Sequence, residues 1–437
     1  MVVESAQLGL SFIPDDVLRV MRKFRDVGFD IWLVGGALRD LLLDIAPKDW
    51  DLATNATPEE VMKLFPRVIP VGIRHGTVQV HTKTRDIEVT SFDPGGREGI
   101  LGDLARRDFT INSLALSYPD GILLDPNGGR ADLRDKLIRG VGNPRERFAE
   151  DPLRIVRAGR IAGLYGFAVD PPTFHAMREE SENIEKVSGE RIRDEICKIL
   201  VSPHPIEAFD LLRKGWALGK ILPELIVRAH IDTAPGSGIS IYRHTLSCIV
   251  RCPERLRVRF AALFHESGVP AVASRNGRLP IDFYQDSVYT ATQRMKKWNM
   301  SSRWIEDISA LIENQLPPEA IDWEDAQIRR FLTRIRLDLI DDLFSLAEAE
   351  WPTDGSGREG IRRLRARMRE QTAAISAFRV SDLALSGNEI KELLDLPPGP
   401  QVGKVLRHLF DRVLEDPSLN TREDLIRIVK SDFPRVE

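Results

Sequence analysis

The stretch from Ile31 to Thr54, IWLVGGALRDLLLDIAPKDWDLAT, constrains this chain more than any other. Ile31 to Val34 is a short apolar run rich in β-formers, which predicts a buried strand. Gly35 and Gly36 follow, and Ala37 to Leu43 then opens an apolar-periodic helix that carries Arg39 and Asp40. A glycine pair between strand and helix lets backbone N–H groups come close to a phosphate, and a helix N-terminus favours its negative charge. Asp49-Trp50-Asp51 comes next. Side chains alternate along a strand, so Asp49 and Asp51 are expected on one face. Two carboxylates a strand period apart form a hard, oxygen-rich site suited to Mg²⁺ and nucleotide phosphates. Either signal alone is weak; in this order and this close together they are specific.

Downstream, Val68–Gly72, Gly76–His81 and Asp86–Ser91 read as strands, and residues 12–28 as a helix ahead of the first strand. In the last of these strands Glu88 lies between Ile87 and Val89, so a mixed sheet that sets it beside the Asp49/Asp51 strand would gain a third carboxylate. Leu104-Ala-Arg-Arg-Asp-Phe-Thr-Ile-Asn follows, with Arg106, Arg107, Asp108 and Asn112 expected over about two helical turns. Arg107 can grip phosphate oxygens bidentately, and Asp108 and Asn112 suit ribose hydroxyls. The stretch from Phe148 to Arg160 reads as one helix, with Asp151, Arg154, Arg157 and Arg160 recurring near one face.

These residues resemble the nucleotidyltransferase superfamily that includes DNA polymerase β. Within it, LVGGALRD and DWDLAT look like the first motif of the class II tRNA nucleotidyltransferases and the related bacterial poly(A) polymerases. The resemblance implies an α/β head of mixed sheet and helices, followed by an all-α neck, body and tail. It implies Asp49, Asp51 and Glu88 as catalytic acids, with Asp49 and Asp51 holding Mg²⁺. Gly35, Gly36, Arg39, Arg107, Asp108, Asn112, Asp151, Arg154, Arg157 and Arg160 would bind the nucleotide. Asp151 with Arg154 would read the incoming base where no nucleic-acid template does so. Leu124-Asp125-Pro126, Gly128-Gly129 and Asp132-Leu133 match a linking motif between head and neck, and glycines there permit motion.

Composition sets the outer limits. The chain has 437 residues, 42% of them hydrophobic and 29% charged, with a net charge of −4. That composition fits a globular protein of several structural units whose nucleic-acid contacts depend on local basic patches. No apolar run approaches membrane-spanning length and no secretory signal is visible, so a cytoplasmic setting is expected. Cys197, Cys248 and Cys252 fit a reduced compartment; Cys248-x-x-x-Cys252 has no second pair and reads as ordinary thiols. The expected division is a catalytic head at 1–140, a base-reading neck at 141–200, a helical body at 201–350 and a tRNA-binding tail at 351–437.

The body resembles the HD domains of metal-dependent phosphohydrolases in Tyr242-Arg-His-Thr-Leu and Phe264-His-Glu-Ser-Gly. Glu266 replaces the usual Asp, Val269 the usual Lys, and Gln285 and Gln315 stand where further histidines would be sought. Only His244 and His265 survive as imidazoles, which predicts a scaffold with little affinity for a transition metal. In the tail, Arg362, Arg363, Arg365, Arg367 and Arg369 crowd one helix and suit RNA phosphates. Gly399, Gly403 and Lys404 resemble the family's tail motif, a Gly-rich helix opening suited to a tRNA backbone phosphate.

The reading is therefore transfer of CMP from CTP, and ATP-derived AMP as the alternative, to the tRNA 3′ end. The segment Asp93 to Asp103 is shorter than the roughly two-dozen-residue loop that the resemblance implies for A-adding relatives. It favours addition of the two cytidines alone, with a separate A-adding enzyme as partner. Full CCA addition, poly(A) polymerase and, from a different class, an HD-type phosphohydrolase stand as alternatives.

Overall fold

In the computed structural model, the structure describes residues 4–72, 76–92, 99–232, 238–269, 283–351, 355–375, 377–397 and 399–433. The chain divides into two compact units, residues 1–226 and 227–437.

The first unit is built on one eight-stranded sheet. Its strands are β1 (Glu4–Gln7), β2 (Ile31–Val34), β3 (Trp50–Thr54), β4 (Val68–Gly72), β5 (Thr77–His81), β6 (Asp86–Ser91), β7 (Ala115–Ser117) and β8 (Ile122–Asp125). They lie in the order β1-β8-β7-β2-β3-β6-β5-β4. Within this sheet β3 and β6 run parallel, and the other neighbouring pairs are antiparallel. The central strands alternate as their sequences require. Leu33, Leu52, Ile87 and Val89 are fully buried, while Asp51 and Glu88 project from the other register positions of β3 and β6.

Helix α1 (Asp15–Asp26) buries Val17, Val20, Met21 and Phe24 at the 3.6-residue period. Helix α2 (Gly35–Leu42) starts directly from the end of β2. Helix α3 (Pro58–Leu64) is started by a capping box between Thr57 and Glu60. After α4 (Gly99–Ala105) and α5 (Gly129–Arg134) the sheet gives way to helices α6 (Pro144–Glu150), α7 (Leu153–Tyr165), α8 (Pro171–Glu179), α9 (Gly189–Leu200) and α10 (Pro205–Lys214). Helices α7 and α10 pack closely because Gly159 faces Leu212 and Gly163 faces Ala208; a Cβ on Gly159 would sit 2.8 Å from the Leu212 side chain.

Two sequence expectations change here. Arg106 to Asn112 does not form two turns of α-helix; only Thr110–Asn112 coils, as a single 3₁₀ turn. The helix ends at Ala105, Phe109 bridges Gly140, and Thr110 N–H donates to Arg139 O at 2.9 Å. Bonding to 139–141 takes the backbone groups a helix would have used. Nor is Phe148 to Arg160 a single helix. It breaks at Asp151, which is extended, ahead of Pro152. Proline disfavours the helical region for the residue before it, and that wins over the periodic pattern.

The second unit shows no strand among its described residues. It comprises helices such as Ile241–Arg251, Leu256–Phe264, Ser302–Glu313, Ile340–Glu350, Gly355–Ala374 and Pro400–Glu415. Its C-terminal part has its own apolar core, in which Leu385, Ile390, Val405, Leu409, Leu425 and Val429 are buried together. Among the described residues, no helix is long and apolar enough to cross a membrane.

Candidate active site

The site forms where β2, β3 and β6 run side by side. Val34, the last residue of β2, pairs with Asp51, and Asp51 pairs across the parallel ladder with Glu88. Asp49 sits just before β3, exposed at the strand's entrance. Burial pushes the Asp51 carboxyl above its ordinary range; Asp49 adds to the rise, and Arg107 and Arg39 oppose it. Glu88 is raised in the same way, by desolvation first and then by the charges of Asp51 and Asp49. Three carboxylates therefore share one small region, and two of them resist ionisation, chiefly because they are desolvated and further because a neighbouring carboxylate repels their charge. Hard oxygen donors with surplus negative charge fit a divalent cation.

Gly35 makes this crowding possible. Its φ of +68° is left-handed, and a Cβ there would lie 2.9 Å from Arg107 Nη1 and 3.1 Å from Asp51 Oδ2. Arg107 is held toward the acids by Asp103, whose Oδ2 accepts from its Nε at 3.0 Å.

Behind the acids runs a buried relay. Arg39 is 5% exposed. Its Nη1 donates to Asn112 Oδ1 at 2.7 Å, and its Nη2 to Asp40 Oδ1 at 2.8 Å. Asn112 Nδ2 donates to Asp108 Oδ1 at 2.9 Å. Asp108 Oδ2 accepts from Arg157 Nε at 2.7 Å. Burial works against the Asp108 charge, but Arg157, Asn112 and the Phe109 N–H outweigh it and hold the carboxyl far below the usual range. Arg157 is raised in turn, chiefly by Asp108. At the other end, Tyr165 donates its hydroxyl to Asp40, and the Arg39 guanidinium lies 4.9 Å from the Tyr165 ring. Arg39, Asp108 and Asn112 thus spend their polar atoms largely on one another.

The residues expected to read the base each have a partner within the chain. Asp151 accepts from Arg191 of α9, at 3.2 Å and 2.8 Å. Arg154 donates to Glu150 at 3.2 Å and to the carbonyls of Arg147 and Arg106. Arg160 is tied to Glu195 of α9 at 2.6 Å. Arg191 and Glu195, both on α9, are thus the partners that fix Asp151 and Arg160.

In the linking motif, Asp125 accepts from the N–H groups of Gly129 and Arg130 at 2.7 Å and 2.9 Å. A Cβ on Gly129 would meet Thr110 O at 2.2 Å. Gly129 here serves close packing, whereas the expectation was freedom of motion.

In the second unit the arginine helix turns Arg362, Arg363 and Arg369 outward. Arg367 pairs with Asp325 at 2.7 Å and Arg365 lies over the Phe344 ring, so the five charges do not form one outward row. The N-terminal ends of Gly387–Leu394 and Pro400–Glu415 share a groove of about 420 Å³ lined by Ser386, Asn388, Lys391, Gly399 and Gly403. Lys404 is exposed nearby in sequence.

The geometry agrees with what the chain is similar to. Residues 31–139 match the poly A polymerase head domain, residues 166–227 the RNA- and SrmB-binding site of polymerase A, and residues 285–429 domain 2 of tRNA nucleotidyltransferase. The CCA-adding enzyme of Lactococcus lactis subsp. cremoris is 27% identical, over 96% of this chain and 98% of its own. That of Geobacillus stearothermophilus is 29% identical, over 93% and 94%. A crystal structure of the Bacillus stearothermophilus CCA-adding enzyme in complex with CTP superposes with a TM-score of 0.70 at 26% identity, covering 95% of this chain and 96% of that one.

Sheet, glycine turn and carboxylate cluster define a nucleotidyltransferase of the polymerase β type. The acids stand on a helix-backed mixed sheet, with the Arg107 guanidinium beside them. The chain belongs to the family of class II tRNA nucleotidyltransferases and bacterial poly(A) polymerases, enzymes that transfer nucleotides to RNA.

Proposed function

We propose that this enzyme extends the 3′ end of tRNA without a template, using CTP and ATP and releasing pyrophosphate. The observation that carries the reading is the pairing of Asp51 with Glu88, Asp49 at the strand's entrance and Arg107 alongside. Asp49 and Asp51, with Glu88 beside them, would hold Mg²⁺, which supplies Lewis acidity toward the tRNA 3′-hydroxyl and the triphosphate. Glu88 orients the attacking hydroxyl. Gly35 and Gly36 let the triphosphate approach the start of α2, and Arg107 grips it. Asp108 and Asn112 position Arg157 and Arg39 around the ribose pocket. Asp151 and Arg154, with Arg191 holding Asp151, face the base edge. The outward arginines 362 and 363, and the groove at Gly399, Gly403 and Lys404, contact the tRNA backbone. We retain the division into head, neck, body and tail for these tasks, and a cytoplasmic setting, which three free thiols support.

The relatives' printed name, CCA-adding enzyme, favours use of both nucleotides. It does not favour the sequence-based expectation of CC addition alone, and none of these names points to a separate A-adding partner. One observation favours the CC reading. Only residues 93–98, outside the described residues, separate Phe92 from α4, because Gly99 to Asp103 belongs to that helix. Transcripts ending before C74, C75 or A76, each offered single labelled nucleotides, decide the matter. Efficient AMP incorporation on the C75-ended transcript establishes full CCA addition. Its absence, at enzyme levels sufficient for CC addition, establishes the shorter reaction. Failure to label any tRNA overturns the proposal.

A further inference from the structure

The sequence left two imidazoles in the body with no partners to complete a metal site. The fold supplies one. His244 and Cys248 are one helical turn apart on Ile241–Arg251, so both point to the same side. His265 follows the end of Leu256–Phe264, and Glu266 is next to it. Among the described residues, His244, Cys248 and His265 form a group whose ligand atoms all lie within 4.8 Å of one another. Cys248 and His265 are fully buried.

The spacings are informative. Cys248 Sγ is 3.4 Å from His244 Nε2. Glu266 reaches to 3.9 Å from His244 Nε2 with one oxygen and 3.7 Å from His265 Nε2 with the other. The two carboxylate contacts are too long for hydrogen bonds. The 3.7 Å contact falls within the tetrahedral edges of about 3.3–3.8 Å that ligand bonds of about 2.0–2.3 Å give, and the contact from the other oxygen lies just beyond them, so Glu266 flanks the three-residue group as its fourth donor.

The atoms facing inward also lack partners. His265 Nδ1 is 2.7 Å from Ala262 O, which fixes the N–H at Nδ1 and leaves a lone pair on Nε2. That Nε2 and Glu266 Oε2 are both buried without a hydrogen-bond partner. A buried acceptor facing other acceptors is costly unless a cation lies between them.

We propose that His244, Cys248, His265 and Glu266 form a closed four-ligand site for a tetrahedral divalent cation, of which Zn²⁺ best matches the donors. One thiolate and one carboxylate balance the ion's two charges, so the site is neutral and suits a buried place. Arg251 Nη2, 3.4 Å from Cys248 Sγ, donates to the sulfur from outside the cluster. Four protein ligands leave no open position, so the ion pins two helices together and does not activate water. Cys248 occupies the role that the missing histidines would have had.

The test uses the full-length chain stripped with a chelator, then given Zn²⁺ alone or Co²⁺ alone, with excess Mg²⁺ occupying the head carboxylates. The expected result is retention of about one zinc per chain and, with cobalt, thiolate-to-metal charge-transfer absorption and strong tetrahedral bands. Cys248→Ser should abolish the charge-transfer band and weaken zinc binding by more than the ~10–100-fold that loss of an outer partner costs. Cys252→Ser should change neither. The unaltered chain alone is decisive if Cys248→Ser does not fold: a stripped chain that takes up no zinc and gives no thiolate band overturns the proposal. So does a band that survives Cys248→Ser. Hydrolysis of phosphate esters by the cobalt-loaded protein, lost in His265→Ala, would overturn the closed geometry.

Discussion

Asp51 and Glu88 stand opposite each other on adjacent parallel strands; desolvation raises both carboxyls, and the charge of Asp51 raises Glu88 further. Replacing Asp51 would remove both a proposed cation ligand and a source of repulsion on Glu88. Asp51→Asn should lower the single-turnover rate of nucleotide incorporation by at least ~10²–10³-fold. Its thermal midpoint without divalent cation should equal or exceed that of the parent. Activity within a few-fold of the parent would remove Asp51 from the chemistry.

Gly35→Ala tests whether the acids and Arg107 need the space they share. The added Cβ meets Arg107 Nη1 and Asp51 Oδ2, and the left-handed backbone adds strain of about 1–2 kcal/mol. Urea denaturation should show a loss of that size, accompanied by a fall in kcat. Gly28→Ala is the control, since its φ is +90° but nothing lies within 4 Å of the new atom. It should lose stability and keep activity.

The Asp108–Arg157 pair predicts a pH dependence of a definite sign. The Asp108 carboxyl is depressed in the folded chain, so the unfolded chain binds its proton more readily. The pair's contribution is complete above the ordinary carboxylate value of 3.8 and is lost as pH falls toward the depressed one. Arg157 keeps 37% of its side chain in water, and screening limits the contribution. Asp108→Asn should therefore cost about 1–3 kcal/mol at neutral pH. The gap between variant and parent should narrow in acid titration of stability; a constant gap would contradict the assignment.

Arg191 is expected to matter for nucleotide choice although it lies far along the chain from the other neck residues. It is the cation that holds Asp151. Arg191→Ala should raise incorporation of the wrong nucleotide relative to CTP, by an amount corresponding to about 1–3 kcal/mol of discrimination. Asp151→Ala should do the same, and the double variant should be little worse. Unaltered selectivity in all three would make the pair purely structural.

The catalytic strands were legible in the sequence because strand, glycine turn and Asp-x-Asp follow in so short a stretch that local chemistry decides them. Glu88 was legible as an acid between two apolar residues, though its register against Asp51 depends on the whole sheet. The stretch from Arg106 to Asn112 was not legible. Its local pattern suits a helix, and the competing partner, residues 139–141, lies some thirty positions on. The break at Asp151 was signalled by Pro152 and overridden by the attraction of a continuous charged face. His244 and Cys248 carried a one-turn spacing, but counting histidines alone hid it.

The relay from Tyr165 through Asp40, Arg39, Asn112 and Asp108 to Arg157 begins and ends on α7. It is a closed loop of polar side chains threaded through α2 and the turn after α4. A loop of that kind cannot yield at one link and stay intact at the others. Tilting α7 to suit a different base would pull on Arg39 and Asp40, and so carry α2 and the glycine turn that opens it, the proposed seat of the triphosphate, along the same path. If the proposed roles hold, α7 and the glycine turn would act as one jaw, and a nucleotide would be weighed by its base and by its phosphates in a single movement.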